Sequence, residues 1–378
     1  MYDYIKNYIE EEFEYLHQHP ELSFEEYETT KRLKDDLSAH EIGILPLDLK
    51  TGAVGLIGQG ERTIALRADI DALPIEEQTS LPYKSVNKGI MHACGHDSHA
   101  AIMLGAALIL KAQEQELSGK VKIIFQPAEE APGGALEIIR KGGLDEVEAI
   151  FGLHCTPLYE TGVLGIKAGP THAAVEKFKI ELKGRGTHAA HPDAGNDVIL
   201  AGSHFIATVQ SIVSRNTEPT ESAIVSITHF QAGNTWNVLP ETAFLEGTIR
   251  TFAKEERALC KRRFTEILNG IAEAFGIKAE LTWVVEVPAT DNDPYLAELA
   301  INTAKKMGFE TRAANRSLGG EDFSLYQQKV RGLFTLVGTG ISYPNHNPHF
   351  EVDKKALYPA SLYIATLAKA YLEAKNEF

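Results

Sequence analysis

The chain has few cysteines, few basic residues and no long hydrophobic run, and each shortage excludes a class of protein. Three cysteines in 378 residues cannot form a disulfide framework, so we expect reduced thiols in a cytoplasmic protein. The longest apolar stretch, residues 100–110, is too short to span a bilayer, and the N-terminus lacks the basic and apolar regions of a secretory signal. Lys and Arg total 37 against 52 Asp and Glu, a net charge of −15. That balance disfavours nucleic acid and anionic membranes as partners.

The remaining composition is that of an ordinary folded protein. Hydrophobic residues make up 44% and charged residues 24% of the chain, which excludes a disordered or fibrous protein. The glycine runs at 58–60 and 338–340 lack the full dinucleotide-binding fingerprint, so a nicotinamide enzyme is not expected. Fourteen histidines are the feature to explain.

Short apolar runs alternate with helical patterns over much of the chain. The runs at 63–68, 121–125, 149–153 and 333–337 are typical of strands covered on both faces. Helical periodicity follows at 98–115, 133–142, 294–307 and 355–375, and a first amphipathic helix ends at Pro20. The pattern predicts an α/β fold with a mostly parallel sheet flanked by helices.

Residues 174–287 have a different pattern. Apolar and charged residues alternate from Phe178 to Lys183, which indicates a strand with one wet face. A helix (197–214), strands (223–231, 242–252), a helix (254–275) and a last strand (279–287) follow. This β-α-β-β-α-β order predicts an inserted ferredoxin-like α+β domain. We therefore expect residues 1–173 and 288–378 to form one domain, and 174–287 a second.

Metal-binding residue types follow four of the predicted strands. They are Asp69 and Asp71, the segment from His92 to His99 with Cys94 and His96, the pair Glu129 and Glu130, His154 with Cys155, and His346 with His349. Ligands bind at the carboxyl ends of parallel strands, and this mixture suits zinc or a pair of similar ions. Taken singly, each residue has an ordinary alternative as a turn, a helix cap or a core side chain. Their joint placement favours a metal site.

The same segments resemble a known family. RADIDALPI (67–75), MHACGHD (91–97), FQPAEE (125–130), GLH (152–154) and HNPHF (346–350) are similar to metal-dependent amidohydrolases of the aminoacylase and carboxypeptidase clan. The nearest branch contains hippurate hydrolases, N-acetyl-amino-acid deacetylases and auxin-conjugate hydrolases. The resemblance covers essentially the whole chain.

The resemblance implies two divalent metal ions, Zn²⁺ or Mn²⁺, with Co²⁺ or Ni²⁺ as alternatives. The ligands it implies are Cys94, His96, Glu130, His154 and His346, with His349 as an alternative to His346. Glu129 would be the general base that takes a proton from the metal-bound water. Asp69 matches an aspartate near the catalytic centre. Asp71 either orients a ligand or is a turn residue.

The inserted domain would bind the substrate. His188, on the loop 184–189, resembles a histidine that stabilises the oxyanion and reaches the active site of a neighbouring subunit, which implies a homodimer or a higher homo-oligomer formed through the inserted domain. Asn237 and Arg250 resemble residues that bind the substrate carbonyl and carboxylate. A guanidinium suits a carboxylate, although a cross-strand ion pair is an alternative for Arg250. The segment 319–323 resembles a glycine turn beside the substrate, or equally the N-terminus of a helix.

These features predict a hydrolase that cleaves the amide bond of N-acyl amino acids, of the N-acetyl or N-benzoyl type. Alternatives with the same site are an N-acetyl-diaminopimelate deacetylase of lysine biosynthesis and a dipeptidase or carboxypeptidase. An alternative of another class is a non-catalytic protein with a structural metal, which would need four ligands and no base.

Overall fold

The computed structural model describes residues 3–374. Their α-helices are α1 (Asp3–Gln18), α2 (Tyr27–Ala39), α3 (His96–Ala112), α4 (Gly134–Arg140), α5 (Val198–Val209), α6 (Ser211–Arg215), α7 (Lys254–Phe275), α8 (Pro294–Lys306), α9 (Phe323–Gln327) and α10 (Leu357–Glu373). Their strands are β1 (Gly43–Ile44), β2 (Ala53–Gly58), β3 (Thr63–Asp69), β4 (Lys120–Gln126), β5 (Ala149–Thr156), β6 (Val163–Gly165), β7 (Gly169–His172), β8 (Ala174–Lys183), β9 (Thr187–His188), β10 (Ala223–Ala232), β11 (Val238–Leu239), β12 (Thr242–Thr251), β13 (Lys278–Val287), β14 (Thr290–Asn292), β15 (Glu310–Arg312) and β16 (Arg331–Gly338).

These elements form two compact units. The first contains the described residues of Met1–Gly169, Asp291–Asn315 and Asp322–Phe378, and the second contains Pro170–Thr290 and Arg316–Glu321. The second unit thus differs from the insertion expected at 174–287 by taking in the segment from Arg316 to Glu321. That segment pairs with β7, because Ser317 donates its backbone N–H to Thr171 O at 2.8 Å.

An eight-stranded sheet of order β1-β2-β4-β3-β5-β16-β6-β15 is the centre of the first unit. Its middle strands β4, β3, β5 and β16 run parallel to one another, while β1–β2, β2–β4 and β16–β6 are antiparallel. The expectation of an α/β fold with a mostly parallel sheet is confirmed. Every residue of β3 is buried, as a central strand covered on both faces requires.

Two apolar clusters cover the two faces of this sheet. Ile64, Leu66 and Ala68 of β3 belong to the larger one, together with side chains of α1, α3, α8 and α10. Ala65 points the other way, into a smaller cluster with α4 and α9. This alternation is the period-two geometry of a strand, and it places Arg67 and Asp69 on the same side as Ala65.

The second unit is a four-stranded sheet of order β10-β12-β8-β13, antiparallel throughout. With α5 and α7 in their places in the chain, this is the strand order of the ferredoxin-like layer that the sequence predicts. Phe178, Ile180 and Leu182 of β8 are buried, and the lysines between them are exposed. The helix expected at 197–214 is interrupted at Gln210, whose side chain donates to Val225 O at 3.2 Å.

The segment Val198–Arg215 is apolar and long enough, by length and composition alone, to cross a membrane. Only a third of it is buried, but that third includes Ala201, Phe205 and Val209, which pack into the core of the second unit. A core helix passes the same test, so the observation is weak evidence for a membrane span.

Candidate metal centre and active site

The carboxyl ends of β3, β4 and β5 lie side by side and hold the predicted metal ligands. Asp69, the last residue of β3, pairs in register with Gln126, the last residue of β4. The turn carrying Glu129 and Glu130 leaves β4 directly after it, and His154 lies near the end of β5. Parallel strands therefore deliver these side chains to one edge of the sheet, as expected for this architecture.

Cys94, His96 and His154 form the first group of donors. Their candidate ligand atoms all lie within 4.8 Å of one another, and Cys94 Sγ is 3.4 Å from His154 Nε2. His154 donates its Nδ1–H to the backbone oxygen of Cys155 at 2.8 Å, which leaves a lone pair on Nε2. Burial lowers the pKa of His154 well below its usual range, so the imidazole stays neutral, as a metal ligand must be.

His96 is oriented by a carboxylate in the manner of many metal-binding histidines. Its Nδ1 lies 3.0 Å from Asp71 Oδ1, while its buried Nε2 has no hydrogen-bond partner among the described residues. Burial opposes a charge on His96, but Asp69, Cys94 and Asp71 outweigh it and raise the pKa of His96 well above its usual value. This position therefore stabilises positive charge, and the carboxylate–imidazole pair is the arrangement that aims a histidine at a metal.

Glu130 and His346 form the second group with Cys94. The three candidate ligand atoms lie within 4.8 Å of one another, and His346 Nε2 is 2.9 Å from Glu130 Oε1. The loop of His346 is tied to the loop of Cys94, because His346 N donates to Ala93 O at 2.8 Å. His346 has a φ of +66°, an uncommon backbone conformation that surrounding contacts must maintain.

His349 lies apart from this arrangement. Its ring packs against Tyr343 with 5.2 Å between ring centroids, and in the described part of the chain it belongs to none of the donor groups. The geometry therefore favours His346 over His349 as the ligand.

Glu129 lies close to the donors of both groups. Candidate oxygens of Glu129 and Glu130 and a ring nitrogen of His96 fall within 4.8 Å of one another. The two glutamates precede α4, which begins only at Gly134, so they do not serve as the first turn of that helix. Of two adjacent carboxylates beside a cluster of imidazoles and a thiol, one can bind a cation while the other accepts and donates a proton.

Asp69 has a partner that the sequence analysis did not identify. His99 Nδ1 lies 2.5 Å from Asp69 Oδ1, and His99 Nε2 accepts the N–H of Cys155 at 2.8 Å. Both nitrogens of His99 are thus engaged, which argues against His99 as a metal ligand although it lies within reach of Asp69 and His96. His99 instead links the end of β3 to the end of β5.

The sequence also did not predict that Arg67 is a buried cation paired with Asp69. Arg67 donates to Asp69 and to Asp322, each at 2.7 Å, and its Nε donates to Gln126 at 2.8 Å. Asp322 precedes α9 but makes no cap of that helix, so the alternative of an acidic first turn does not apply to it. The sequence signal for this buried charge was the position of Arg67, a charged residue inside an otherwise apolar strand.

The second unit positions His188 and Asn237 next to each other. β9 and β11 pair so that His188 faces Val238, and Ala189 N donates to Asn237 O at 2.9 Å. The Nδ1 of His188 accepts the N–H of Ala190 at 3.1 Å. The neutral ring therefore carries its proton on Nε2, where it can be donated.

Arg250 lies on β12 between two uncharged neighbours. Its register partners are Ile224 and Val175, so the strand pairing offers no acidic residue for the ion pair that was the alternative. Its guanidinium contacts Leu318 O at 3.4 Å, and burial lowers the pKa of Arg250. A partly desolvated guanidinium with a carbonyl contact remains suited to an anion.

The first-unit cluster fits divalent metal ions. Burial raises the pKa of the Cys94 thiol well above its usual range, so a thiolate there needs a cation to stabilise it. Three imidazoles, a thiol and a carboxylate pair match the preferences of borderline-soft metals. The donors exceed the four that a closed structural site requires, and they fall into two groups that share Cys94. The fold and donor set together define a dinuclear metal hydrolase.

Known proteins of the same kind match nearly the whole chain. A family model described as peptidase family M20/M25/M40 matches residues 65–370. An N-acetylcysteine deacetylase of Bacillus subtilis is 46% identical over 95% of both chains, and the IAA-amino acid hydrolase ILR1-like 4 of Arabidopsis thaliana is 38% identical over 95% of this chain and 85% of its own. A solved dinuclear metal-binding M20 peptidase from Bacillus subtilis is 41% identical, covers 99% of this chain and 100% of its own, and superposes with a TM-score of 0.89.

The chain belongs to peptidase family M20/M25/M40. It is a metal-dependent hydrolase of amide bonds in N-acyl amino acids, which confirms the activity predicted from the sequence. The alternative of a non-catalytic protein with a structural metal is thereby excluded.

Proposed function

We propose that the enzyme deacylates N-acetyl amino acids, with N-acetylcysteine the first substrate to test, and that Glu129 is its general base. The observation that carries this proposal is the position of Glu129 within 4.8 Å of the donors His96 and Glu130. The relatives support the substrate class, since two Bacillus subtilis proteins named as N-acetylcysteine deacetylases are 46% and 45% identical to this chain.

Cys94, His96, Glu130, His154 and His346 would hold two divalent ions, and Cys94 belongs to both groups of donors. Bound metals would lower the pKa of water and polarise the substrate carbonyl. Glu129 then takes a proton from the attacking water and returns it to the leaving amine. Asp69 would orient the ring of His99, and Asp71 the ring of His96, through their hydrogen bonds to the Nδ1 atoms.

The second unit is proposed to bind the polar groups of the substrate. His188 Nε2–H and the Asn237 amide would donate to the developing oxyanion. Arg250 would bind the carboxylate of the amino acid through its planar fork. Loss of Arg250 should therefore raise KM for N-acetyl amino acids, whereas loss of His188 should lower kcat.

Replacement of the proposed base tests the mechanism. Glu129→Gln should keep both metal ions, since Glu129 is outside the proposed ligand set, and should lower kcat by about 10²–10⁴-fold because the proton acceptor is gone. Elemental analysis and turnover of N-acetylcysteine measure the two effects. Glu146→Gln, which alters an exposed carboxylate paired with Lys120, is the matched control. An unimpaired kcat in Glu129→Gln would rule out the assignment.

A substrate screen tests the specificity. The panel contains N-acetyl and N-benzoyl amino acids, N-acetyl-diaminopimelate and dipeptides, each with Zn²⁺, Mn²⁺, Co²⁺ or Ni²⁺ restored to the metal-free enzyme. We expect the highest kcat/KM for N-acetyl amino acids with Zn²⁺ or Mn²⁺, since the thiolate and imidazoles favour the borderline-soft Zn²⁺ and the carboxylates suit the harder Mn²⁺. Preference for dipeptides would instead indicate a peptidase. A relative from Saccharolobus solfataricus that is 36% identical to this chain is named thermostable carboxypeptidase 1.

We further infer that two copies associate through the second unit in the cytoplasm. Trp236 is 92% exposed, and the neighbouring Val238 and the α5 residues Ile199 and Leu200 are exposed as well. An exposed apolar group of this kind is typical of an interface. Light scattering after size exclusion should give a dimer mass that Trp236→Ser shifts toward the monomer, while Val86→Ser, at an exposed position in the first unit, leaves it unchanged. A compartment that keeps Cys94 reduced agrees with the cytoplasm, and cell fractionation tests this.

A further inference from the structure

We propose that Glu26 is a positioning residue for the reaction, whose carboxylate clamps the backbone beside Glu129 and holds the Glu129–Glu130 turn in its working conformation. The proposal rests on the proposed function of Glu129. The clamp itself is a backbone contact and can be measured without turnover.

Glu26 is fully buried and its carboxylate is held by three donors. Oε1 accepts the N–H of Ala128 and the N–H of Phe24, each at 2.9 Å. Oε2 accepts the hydroxyl of Thr51 at 2.7 Å. The contact to Ala128 spans about a hundred residues of sequence and reaches the residue directly before Glu129.

The two amides that share Oε1 belong to residues with unusual backbones. Ala128 has a φ of +50° and Phe24 a φ of +62°, the left-handed region that non-glycine residues seldom occupy. Such a conformation persists only where surrounding contacts impose it, and it gathers at functional sites. One carboxylate oxygen therefore supports both strained residues, and one of them sets the direction in which Glu129 leaves the strand end.

A second buried carboxylate holds the other side of Glu129. Asp71 Oδ2 accepts the N–H of Glu130 at 3.0 Å and the hydroxyl of Ser23 at 2.6 Å. Glu129 thus lies between two amides, those of Ala128 and Glu130, that are each fixed by a carboxylate. Ser23 and Glu26 come from the same short segment between α1 and α2, so that segment supports the turn at both ends.

Capping of α2 does not explain Glu26. It occupies the N-cap position of α2, where a carboxylate ordinarily accepts from the next backbone amides. Here its side chain makes no cap hydrogen bond, and the carboxylate faces Ala128 and Thr51. A buried carboxyl group turned away from its own helix toward the active-site turn is the arrangement of a positioning group.

Three substitutions of Glu26 separate hydrogen bonding from bulk and charge. Glu26→Ala removes the acceptor. Glu26→Asp keeps the charge and withdraws it from Ala128 by one methylene. Glu26→Gln keeps an oxygen for the two amides and supplies an N–H for Thr51 Oγ1, so it should rescue function. The matched control is Glu12→Ala, another buried carboxylate of the N-terminal region, which pairs with Arg32 at 2.5 Å.

The first readout is amide hydrogen exchange of a peptide covering residues 125–134. The Ala128 amide should be protected from exchange in wild type, Glu26→Gln and Glu12→Ala. It should exchange at least about tenfold faster in Glu26→Ala and Glu26→Asp, because the acceptor is lost or withdrawn. The second readout is steady-state kinetics with N-acetylcysteine. A misplaced base should lower kcat by about 10–100-fold in Glu26→Ala while KM stays within about threefold.

The outcomes separate the clamp from the proposed function. Fast exchange and low kcat in Glu26→Ala and Glu26→Asp, both restored in Glu26→Gln, support the proposal. Unchanged exchange at Ala128, or kcat that falls equally in Glu12→Ala, overturns it. Should Glu26→Ala fail to fold, Glu26→Asp against Glu26→Gln gives the same decision. A wild-type enzyme that hydrolyses nothing in the substrate panel would sink the proposed function, and exchange at Ala128 would still decide the clamp.

Discussion

Arg67 shows what a single buried charge does at this site. Its guanidinium is fully buried and lies 2.7 Å from the carboxylates of both Asp69 and Asp322. The desolvation cost of such a group is offset only while its partners are present. Asp69 in turn holds His99, so the charge of Arg67 supports the strand ends that carry the proposed metal ligands.

Removal of Arg67 should therefore be costly. Arg67→Met leaves two carboxylates buried without their cation, and we expect a loss of about 3–5 kcal/mol in the free energy of unfolding, measured by urea denaturation at pH 7. Arg312→Met removes an exposed guanidinium that pairs with Glu310 and Glu160 and should leave the free energy of unfolding nearly unchanged, because solvent screens such a pair. The double change Arg67→Met with Asp322→Asn should recover part of the loss. Equal effects of Arg67→Met and Arg312→Met would contradict this account.

Sequence predicted the donor side chains that the structure brings together better than it predicted the residues that hold them in place. The donors at the strand ends were identified because carboxylate, imidazole and thiol recur where parallel strands end. Glu26, His99 and Asp322 were missed because each acts through a partner between about thirty and 255 positions away. Periodicity reports which face of an element is buried, but it carries no information about such distant pairs.

At the scale of elements, a buried histidine joins α1 to the start of α3. His17 Nδ1 lies 2.6 Å from Asp97 Oδ2, and its Nε2 lies 3.3 Å from Glu77 Oε1. Burial lowers the pKa of His17, but hydrogen bonds with the two carboxylates outweigh burial and raise it to about 9. The protonated ring therefore links the last turn of the first helix to the residue after His96.

This link makes stability depend on pH in a definite direction. The pKa of His17 is about 9 in the folded protein and about 6.5 in the unfolded chain. Its contribution to the free energy of unfolding is therefore complete below pH 6.5 and is lost as the pH rises through 9. This difference in pKa corresponds to about 3 kcal/mol of stability. Between pH 6 and pH 9.5, the free energy of unfolding measured in urea should fall more in wild type than in His17→Gln. His204→Gln, at an exposed site on α5, should behave as wild type, and equal falls in all three proteins would refute the link.

Long regular elements were predictable, and short or non-local ones were not. The helix expected at 254–275 coincides with α7, because 22 residues of 3.6-residue periodicity leave little ambiguity. The pattern did not single out α2 or β2, and the antiparallel pairing of β2 with β4 depends on contacts across some seventy residues. The inclusion of Arg316–Glu321 in the second unit was not predicted for the same reason, because it depends on contacts between residues far apart in the sequence.

At the scale of the whole molecule, all proposed metal ligands belong to the first unit. Cys94, His96, Glu130, His154 and His346 fall within Met1–Gly169 or Asp322–Phe378. A ligand that binds only the folded state stabilises it by mass action. Metal binding should therefore stabilise the unit that contains the ligands, while the four-stranded sheet of the second unit has its own core.

Chelation tests this division of stability. After treatment with a chelator, hydrogen exchange should speed up in peptides containing Cys94, His154 and His346 and stay within about twofold for peptides of β8 and α7, because no proposed ligand lies in that unit. The melting temperature should fall by several degrees and return with Zn²⁺ or Mn²⁺. Cys94→Ala, which removes the donor that both groups share, should melt at nearly the same temperature with and without the chelator. Loss of protection spread equally over both units would show instead that the metal site stabilises the molecule as one cooperative body.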